Sequence, residues 1–375
     1  MAKYKFEDIA INSKLKKKPV EEDKYHYIGL EHLDSGSLEV TRYGSEVAPK
    51  GEKLIMKKGD VLFGKRRAYQ KKVGIAPFDG IFSAHGMVLR PKENVINKKF
   101  FPLFISSDYF LDAAIKISVG SLSPTINWSD LKELEFELPD LEGQKKLAKI
   151  LWAAEETKQA YKKLLQKTDD LVRAKFEEMF GKAKRDYLGN YIEQIRGVSY
   201  KPTDLNSQLV EGYITLLRAN NISDGVINFD EVQYVNRGRV YDNQLIKPKD
   251  ILMCASSGSL EHVGKTALCN LPMEYTFGAF CKLIRANDML KPEYIFSYMN
   301  TQEYRDIIEN VANGANINNL RNEDIENILI PIPSDEQQVI FINFWKQTEQ
   351  SKQQLQKSLD SLNAMTKALI NENLK

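Results

Sequence analysis

The chain has 375 residues, 42% hydrophobic and 28% charged, and its 53 Lys and Arg against 51 Asp and Glu leave a net charge of +2. That length supports two domains of ordinary size, and the charge balance excludes a global positive field as the means of holding an acidic partner. No stretch approaches the roughly 18 apolar residues of a membrane span, MAKYKFEDIAINSKLKKKP has no apolar signal-peptide core, and Cys254, Cys269 and Cys281 are too few and too badly spaced for a zinc site or a disulfide framework, so a reducing cytoplasm is the expected setting.

Charge is nevertheless uneven along the chain. Lys53 to Lys72, KLIMKKGDVLFGKRRAYQKK, holds eight Lys or Arg and one Asp. A lone basic run is commonly a solvated surface, but the interleaved Phe63, Tyr69 and Gln70 suit a nucleic-acid face. VLFGKRR, KVGIAP and IFSAHGMVLRP read as strands, with β-branched and aromatic residues broken by the turn residues PFDG. A helix, FFPLFISSDYFLDAAIKIS, follows, then a polar loop, SLSPTINWSD, a short strand, LEFELP, and a long helix from Pro139.

The same order then recurs. ILMCASSGSLEHVGKTALC and FGAFCKLIRA read as strands, YIFSYMNTQEYRDIIENVA as a helix, ANINNLRNED as a loop and ILIPIP as a strand before a second long helix. At an offset of 194 positions Pro139 meets Pro333, Glu142 meets Glu336, Gln144 meets Gln338, Gly120 meets Gly314 and Asp130-Leu131 meets Asp324-Ile325. Further back, Asp60-Val61-Leu62 matches Asp250-Ile251-Leu252, and Gly36 in DSGSL matches Gly225 in SDGVI. The chain is two copies of one plan. Mixed regions span 1–140 and 183–334, and long helices span 141–182 and 335–375.

The helix starts are well marked. Asp140 is a good N-cap, and Ser334 with Gln337 fits a capping box. One heptad register serves both helices. Its a positions are Leu147, Ala154, Tyr161, Thr168 and Lys175, against Phe341, Thr348, Leu355, Leu362 and Leu369. Its d positions are Leu151, Lys158, Leu165, Val172 and Met179, against Trp345, Lys352, Leu359, Thr366 and Asn373. Two matched apolar stripes in one chain predict that the helices pack on each other, each spanning roughly 55 Å. The seam residues are Leu147, Leu151, Tyr161, Leu165 and Val172 on one helix, and Phe341, Trp345, Leu355, Leu359, Leu362 and Leu369 on the other.

Catalytic patterns are wanting. GSLEHVGKT, Gly258 to Thr266, has one residue too many between its glycines for a Walker A motif and runs into strand-like residues, so a hairpin tip is expected there. His26, His32, His85 and His262 have no metal-ligand spacing, and Asp140, Glu142 and Lys145 suit the first turn of a helix better than a nuclease cluster. A binding and positioning protein is expected, with no catalytic residue and no metal of its own.

LPDLEGQKKLAKIL and IPIPSDEQQVIF, the segment GDVLFGKRRAYQKKVGIAPFDGIFSAH, the polar loops after Gly120 and Gly314, and the whole-chain duplication together resemble the specificity (S) subunits of type I restriction–modification systems. The first copy departs from that family's helix-start pattern at Gly143, and the second lacks a leucine after Pro333. The resemblance implies an α/β (α+β) fold with two tandem target recognition domains containing twisted sheets. Each is followed by a long helix, and the two helices form an antiparallel coiled coil acting as spacer and docking site. It implies a double-stranded DNA partner with a bipartite site and two methyltransferase (M) subunits carrying S-adenosylmethionine. Where the complex restricts, it implies two restriction (R) subunits using ATP with Mg. No cofactor is expected in this chain. Two alternatives stay open: a duplicated DNA-binding scaffold or regulator without a methyltransferase partner, and a P-loop-type NTPase or nuclease built on GSLEHVGKT.

Phosphates call for cations, and base edges for Arg, amide or hydroxyl side chains. In the first copy the candidates are Lys65, Arg66, Arg67, Tyr69, Gln70, Lys71, Lys72, His85, Ser121, Ser123 and Thr125. In the second they are Arg196, Tyr200, Arg218, Asn220, Asn221, Ser256, Ser257, Ser259, Lys265, Asn316, Asn318 and Arg321.

Overall fold

A computed structural model describes residues 1–271, 274–313 and 319–374. The chain forms two compact units, Met1–Lys162 with Gln356–Lys375, and Lys163–Leu355. The division falls inside both long helices rather than at their starts.

In the first unit, β1 (Ala10–Ser13), β2 (Val61–Gly64), β3 (Val73–Ile75) and β4 (Gly86–Pro91) form an antiparallel sheet in the order β1-β4-β2-β3. Alternation along β2 and β4 sends Val61, Phe63, Met87 and Leu89 into one core and Leu62 and Val88 into another. Both faces are covered, which is why these strands read as unbroken apolar runs. A second sheet joins Lys16–Lys17, Lys53–Met56, Gly80–Phe82 and Tyr27–Ile28, the last two parallel. Asp60 at the head of β2 accepts two hydrogen bonds from Arg90, at 2.7 and 2.8 Å, and one from the backbone of Lys57 at 2.8 Å. This nearly buried carboxylate locks β2 to β4.

The predicted helix over FFPLFISSDYFLDAAIKIS is two helices, α1 (Phe101–Ile105) and α2 (Asp108–Lys116). The Ser107 hydroxyl breaks the run by donating to the Phe104 carbonyl (2.6 Å) and accepting from the Phe110 N–H (3.3 Å), a cap in mid-segment. The long helix α3 (Leu141–Phe180) follows. Asp140 caps it through the Gly143 N–H at 2.8 Å. A Cβ at Gly143 would lie 2.9 Å from that carboxylate.

The second unit repeats this plan. β5 (Ile192–Arg196), β6 (Ile251–Cys254), β7 (Thr266–Leu268) and β8 (Cys281–Ala286) take the order β5-β8-β6-β7. Asp250 accepts from Arg285 at 2.8 and 2.7 Å and from the Lys247 N–H at 2.8 Å, repeating the Asp60 arrangement. Again one predicted helix is two, α4 (Pro292–Tyr298) and α5 (Gln302–Asn313), with Thr301 in the place of Ser107, bonded to the Tyr298 carbonyl and the Tyr304 N–H. The last helix, α6 (Asp335–Asn373), starts on the expected capping box between Ser334 and Gln337. The smaller sheets differ. Lys53–Met56 pairs with Gly80–Phe82 in the first unit, whereas Gln233–Asn236 pairs with Tyr213–Leu217 in the second. GSLEHVGKT belongs to the loop between antiparallel β6 and β7 and runs into a strand, as its hairpin reading expects.

Each unit contains one end of α3 and the opposite end of α6, so the two pack antiparallel. In the first unit Leu147, Ala148 and Leu151 of α3 share a core with Leu369 and Ile370 of α6 and with Leu374 just beyond it. In the second, Val172, Phe176 and Phe180 meet Phe341 and Trp345. The heptad register drifts there. Lys175 and Met179 are only half-buried while Phe176 and Phe180, one position on, are buried. A straight helix turns about 20° per heptad away from a 3.5-residue seam, and here the globular core captures the rotated stripe. Tyr161, Leu165, Leu355 and Leu362 are half-buried on the helices' middle stretch, and Leu359 is buried. Lys352 at a d position reaches Asp169 at 2.6 Å.

Two buried glutamines seat the helices. Gln144 accepts from the Asn97 N–H (2.7 Å) and donates to the carbonyls of Val95 (3.1 Å) and Pro139 (2.9 Å). Gln338 accepts from the Lys291 N–H (2.9 Å) and donates to the Met289 carbonyl (3.3 Å), the same partners 194 positions on. Replacing Gln338 by Ala removes the partner of the Lys291 N–H and of the Met289 C=O. The expected loss is about 1–3 kcal/mol, read as a lower urea midpoint for the variant. An unchanged midpoint would show that the glutamine does not seat the helix.

Candidate nucleic-acid interface

The candidates of the first unit gather at one end of its β2–β4 sheet. After β2 the chain turns tightly, with Arg67 and Lys71 both in the left-handed region (φ 54° and 48°), and returns where the Gly64 N–H meets the Lys72 carbonyl at 2.9 Å. Three backbone joints then hold this loop to two others. The Arg66 N–H donates to the His85 carbonyl (3.3 Å), the Ile126 N–H to the Lys65 carbonyl (2.9 Å), and the Ala68 N–H to the Pro124 carbonyl (3.2 Å). Residues far apart in sequence, Lys65 to Gln70, His85 and Ser121 to Thr125, therefore share one edge. The Thr125 hydroxyl donates to the Ser123 carbonyl at 3.0 Å and shapes the third loop.

Among the described residues Lys65, Arg66 and Arg67 pair with no carboxylate. An Arg66 Nη lies 3.5 Å from His85 Nε2. Burial, and then Arg66, Lys65 and Lys53, hold the His85 imidazole below its usual pKa, favouring the neutral ring that can accept from the guanidinium. Tyr69 and Ser121 are exposed, and Gln70 and Ser123 half-buried. Leu122, absent from the sequence candidates, is 93% exposed between the two serines.

Lys71 and Lys72 do not belong with this group. Lys71 lies 2.7 Å from both Asp108 and Asp112 and ties the loop to α2, and Lys72 donates to the Leu30 carbonyl at 2.8 Å. A run of like charges cannot show in sequence which members the fold neutralises.

The second unit builds the same edge with other side chains. The Ser256 N–H donates to the Phe280 carbonyl (3.0 Å), and the Leu320 N–H to the Ala255 carbonyl (2.9 Å). An isolated β-bridge pairs Ser256 with Asn319 as one pairs Arg66 with Thr125. Ala255, Ser256 and Ser257 thus stand where Lys65, Arg66 and Arg67 stand in the first unit, and exposed Phe280 stands where His85 does. The Ser257 hydroxyl accepts from the Ser259 N–H at 3.2 Å. Tyr200 and Arg218 flank the adjoining turn. A Cβ on Gly278 would lie 3.4 Å from the Tyr200 ring and 3.9 Å from the Arg218 stem. Arg218 donates to the Glu231 carbonyl at 2.7 Å, and its Nε is buried without a partner among the described residues.

The remaining candidates divide. Asn221 is fully buried, accepting from the Arg218 N–H and donating to the carbonyls of Asn228 and Asp230, so it closes a loop. Asn220 is exposed. Arg321 caps the Asn322–Glu326 helical turn through Asp324 at 3.0 Å. Lys265 lines a cleft of about 730 Å³ with Arg173, Arg305 and Trp345. Asn316 and Asn318 lie outside the described residues. Exposed Arg196 sits opposite Lys282 in the β5–β8 pairing. Phe280 was legible through the repeat, since it falls at the His85 position, but an aromatic ring in an apolar-looking strand carries no polar signal.

Lys282 is the odd member of this surface. Its ammonium donates to Gln194 (3.2 Å) and Asn322 (2.8 Å). Burial first, with Arg196 beside it and against the pull of Asp324 and Glu326, lowers its pKa to about 8. The first unit has Met87 at this place, paired with Phe63 as Lys282 is with Met253.

The fold comparisons agree with this duplicated plan. The profile described as "Type I restriction modification DNA specificity domain" matches residues 2–167 and again 199–362. The chain is similar to the StySPI specificity subunit of Salmonella potsdam, with 40% identity over 146 residues, 39% of this chain and 32% of that one. It is also similar to the EcoKI specificity subunit of Escherichia coli K12, with 39% identity over 139 residues, 37% of this chain and 30% of that one. The chain thus spans about a third of the length of these two relatives. A chain in a solved structure of a type I R-M system has the same fold at 17% identity, with a TM-score of 0.57, over 99% of this chain and 97% of that chain.

The Lys282 environment predicts a pH signature. The folded-state pKa is depressed, so its stabilising contribution is complete above the unfolded value near 10.5 and is lost as pH falls through about 8. Stability from this residue therefore rises between those two values. Lys282→Met removes the effect. The variant's advantage in urea midpoint over the wild type is expected to be largest at neutral pH and to shrink as pH approaches 10.5. A difference independent of pH would contradict it.

Proposed function

The chain belongs to the type I restriction–modification DNA specificity family, and from that membership we propose that it reads a split, asymmetric site on double-stranded DNA, one half with each unit. The observation that carries this reading is the repeated edge. The same backbone joints, Arg66–His85 and Ser256–Phe280, present cations and an imidazole in one unit and hydroxyls and a phenyl ring in the other. A common frame with unlike side chains is what two different half-sites require.

The chemistry of each edge follows. Lys65, Arg66 and Arg67 supply phosphate contacts whose strength falls with salt, and an Arg held by His85 can take a guanine edge in two hydrogen bonds. Ser256, Ser257 and Asn319 offer shorter donors and acceptors. The chain itself holds no cofactor and performs no reaction in this proposal. Two methyltransferase subunits carrying S-adenosylmethionine dock along the α3–α6 pair, and its near-repeat suits two identical partners on one chain. They methylate adenine at N6 where the chain places them. The helices set the gap between the half-sites, and restriction subunits using ATP and Mg join where unmodified DNA is cut.

Co-expression with a candidate methyltransferase subunit, followed by genome-wide mapping of N6-methyladenine, tests the reading. The expected motif has two short specific halves around a fixed nonspecific gap. The double variant Arg66→Ala, Arg67→Ala is expected to relax one half and leave the other intact. Co-purification without methylation, or methylation lacking a split motif, would overturn the proposal.

A further inference from the structure

We propose that Phe280 is a base-contacting residue of the second unit, standing where His85 stands in the first and taking the methyl group of a thymine as its partner. The inference rests on the reading of the chain as a two-part DNA reader and names one specificity-determining residue within it.

The ring has no structural task. Phe280 is 68% exposed, although the strand it leads into, β8, is buried at Cys281 to Ile284. What the turn needs from this residue is its backbone. The Ala255 and Ser256 N–H groups both donate to the Phe280 carbonyl, at 2.9 and 3.0 Å, and the Cys281 N–H closes on Gly278 at 2.8 Å. The first unit makes the matching bonds, Arg66 to His85 and Gly86 to Ser83, with an imidazole at this place. The backbone frame is thus indifferent to the side chain, which is left free to face outward.

Its surroundings point the same way. The turn carrying Phe280 has Tyr200 and Arg218 against Gly278 on one side and Ser256, bridged to Asn319, on the other. An exposed apolar ring on a turn flanked by a cation, hydroxyls and an amide matches a DNA base edge better than an apolar protein surface. In the major groove thymine alone presents a methyl group, and apolar side chains read it by contact.

The test uses the full chain with its methyltransferase partner and synthetic duplexes carrying the mapped site. Each thymine of the second half-site is replaced in turn by uracil, which removes only the methyl. Wild type is expected to lose about fourfold in affinity at one of these positions, the weight of one buried methyl group. Phe280→Ala is expected to bind the thymine duplex weakly by a similar factor and to be indifferent to uracil there, while Phe280→Leu keeps part of the discrimination. Thermal melting stays unchanged, because the ring is exposed. Phe280→Ala binding like wild type, or binding weakly while still sensing the same uracil, would overturn the inference and leave the two-part reading standing. A wild-type motif without two halves would remove both.

Discussion

The buried glutamine at the start of each long helix is the interaction on which the rest of this architecture depends. A helix of 40 residues with a partial apolar stripe has no fixed direction in water. Gln144 and Gln338 give it one. Each inserts its amide among the backbone groups just ahead of α1 or α4. Those groups sit next to the helical pair whose other face covers the sheet. A half-satisfied amide in this position costs more than no amide at all, so the contact is made completely or fails. Sheet, helical pair and long helix are thereby held as one piece in each unit.

That rigidity leaves the opposite end of each sheet free to vary. The Asp60–Arg90 and Asp250–Arg285 pairs pin the central strands at the seated end. At the other end the joints repeated in both units are main-chain bonds, Arg66 to His85 and Ser256 to Phe280, so the side chains at these positions can change without disturbing the frame. The two units show such change: Arg66 against Ser256, His85 against Phe280, and differently paired small sheets. Constant backbone with divergent side chains is a physical basis for two specificities on one plan.

Much of this was legible in the sequence, and the misses have identifiable causes. The repeat, the main strands within each copy, the caps at Asp140 and Ser334 and the packing of the long helices on each other could be read from sequence patterns, whereas the antiparallel sense of the helices came only with the family resemblance. The broken helices at Ser107 and Thr301 escaped because a capping hydroxyl in mid-segment looks like any other polar residue of an amphipathic run. Phe176 and Phe180 escaped because a strict heptad ignores the drift of a helix that ends in a globular core. Among the site residues, Lys71, Lys72 and Asn221 have the right chemistry for DNA but are engaged by Asp108 and Asp112, by the Leu30 carbonyl, and by the Asn228 and Asp230 carbonyls. Partners from distant segments decide such roles, and a linear pattern does not contain them.

The central claim is that two independent readers act on one DNA site. The most direct measurement is the affinity of the chain, bound to the proposed methyltransferase partner, for duplexes in which the first half-site, the second, or both are scrambled. Independent readers predict a loss for each half that adds to within about 0.5 kcal/mol in the doubly scrambled duplex. A single half carrying the whole loss, or both halves losing their effect together, would contradict it.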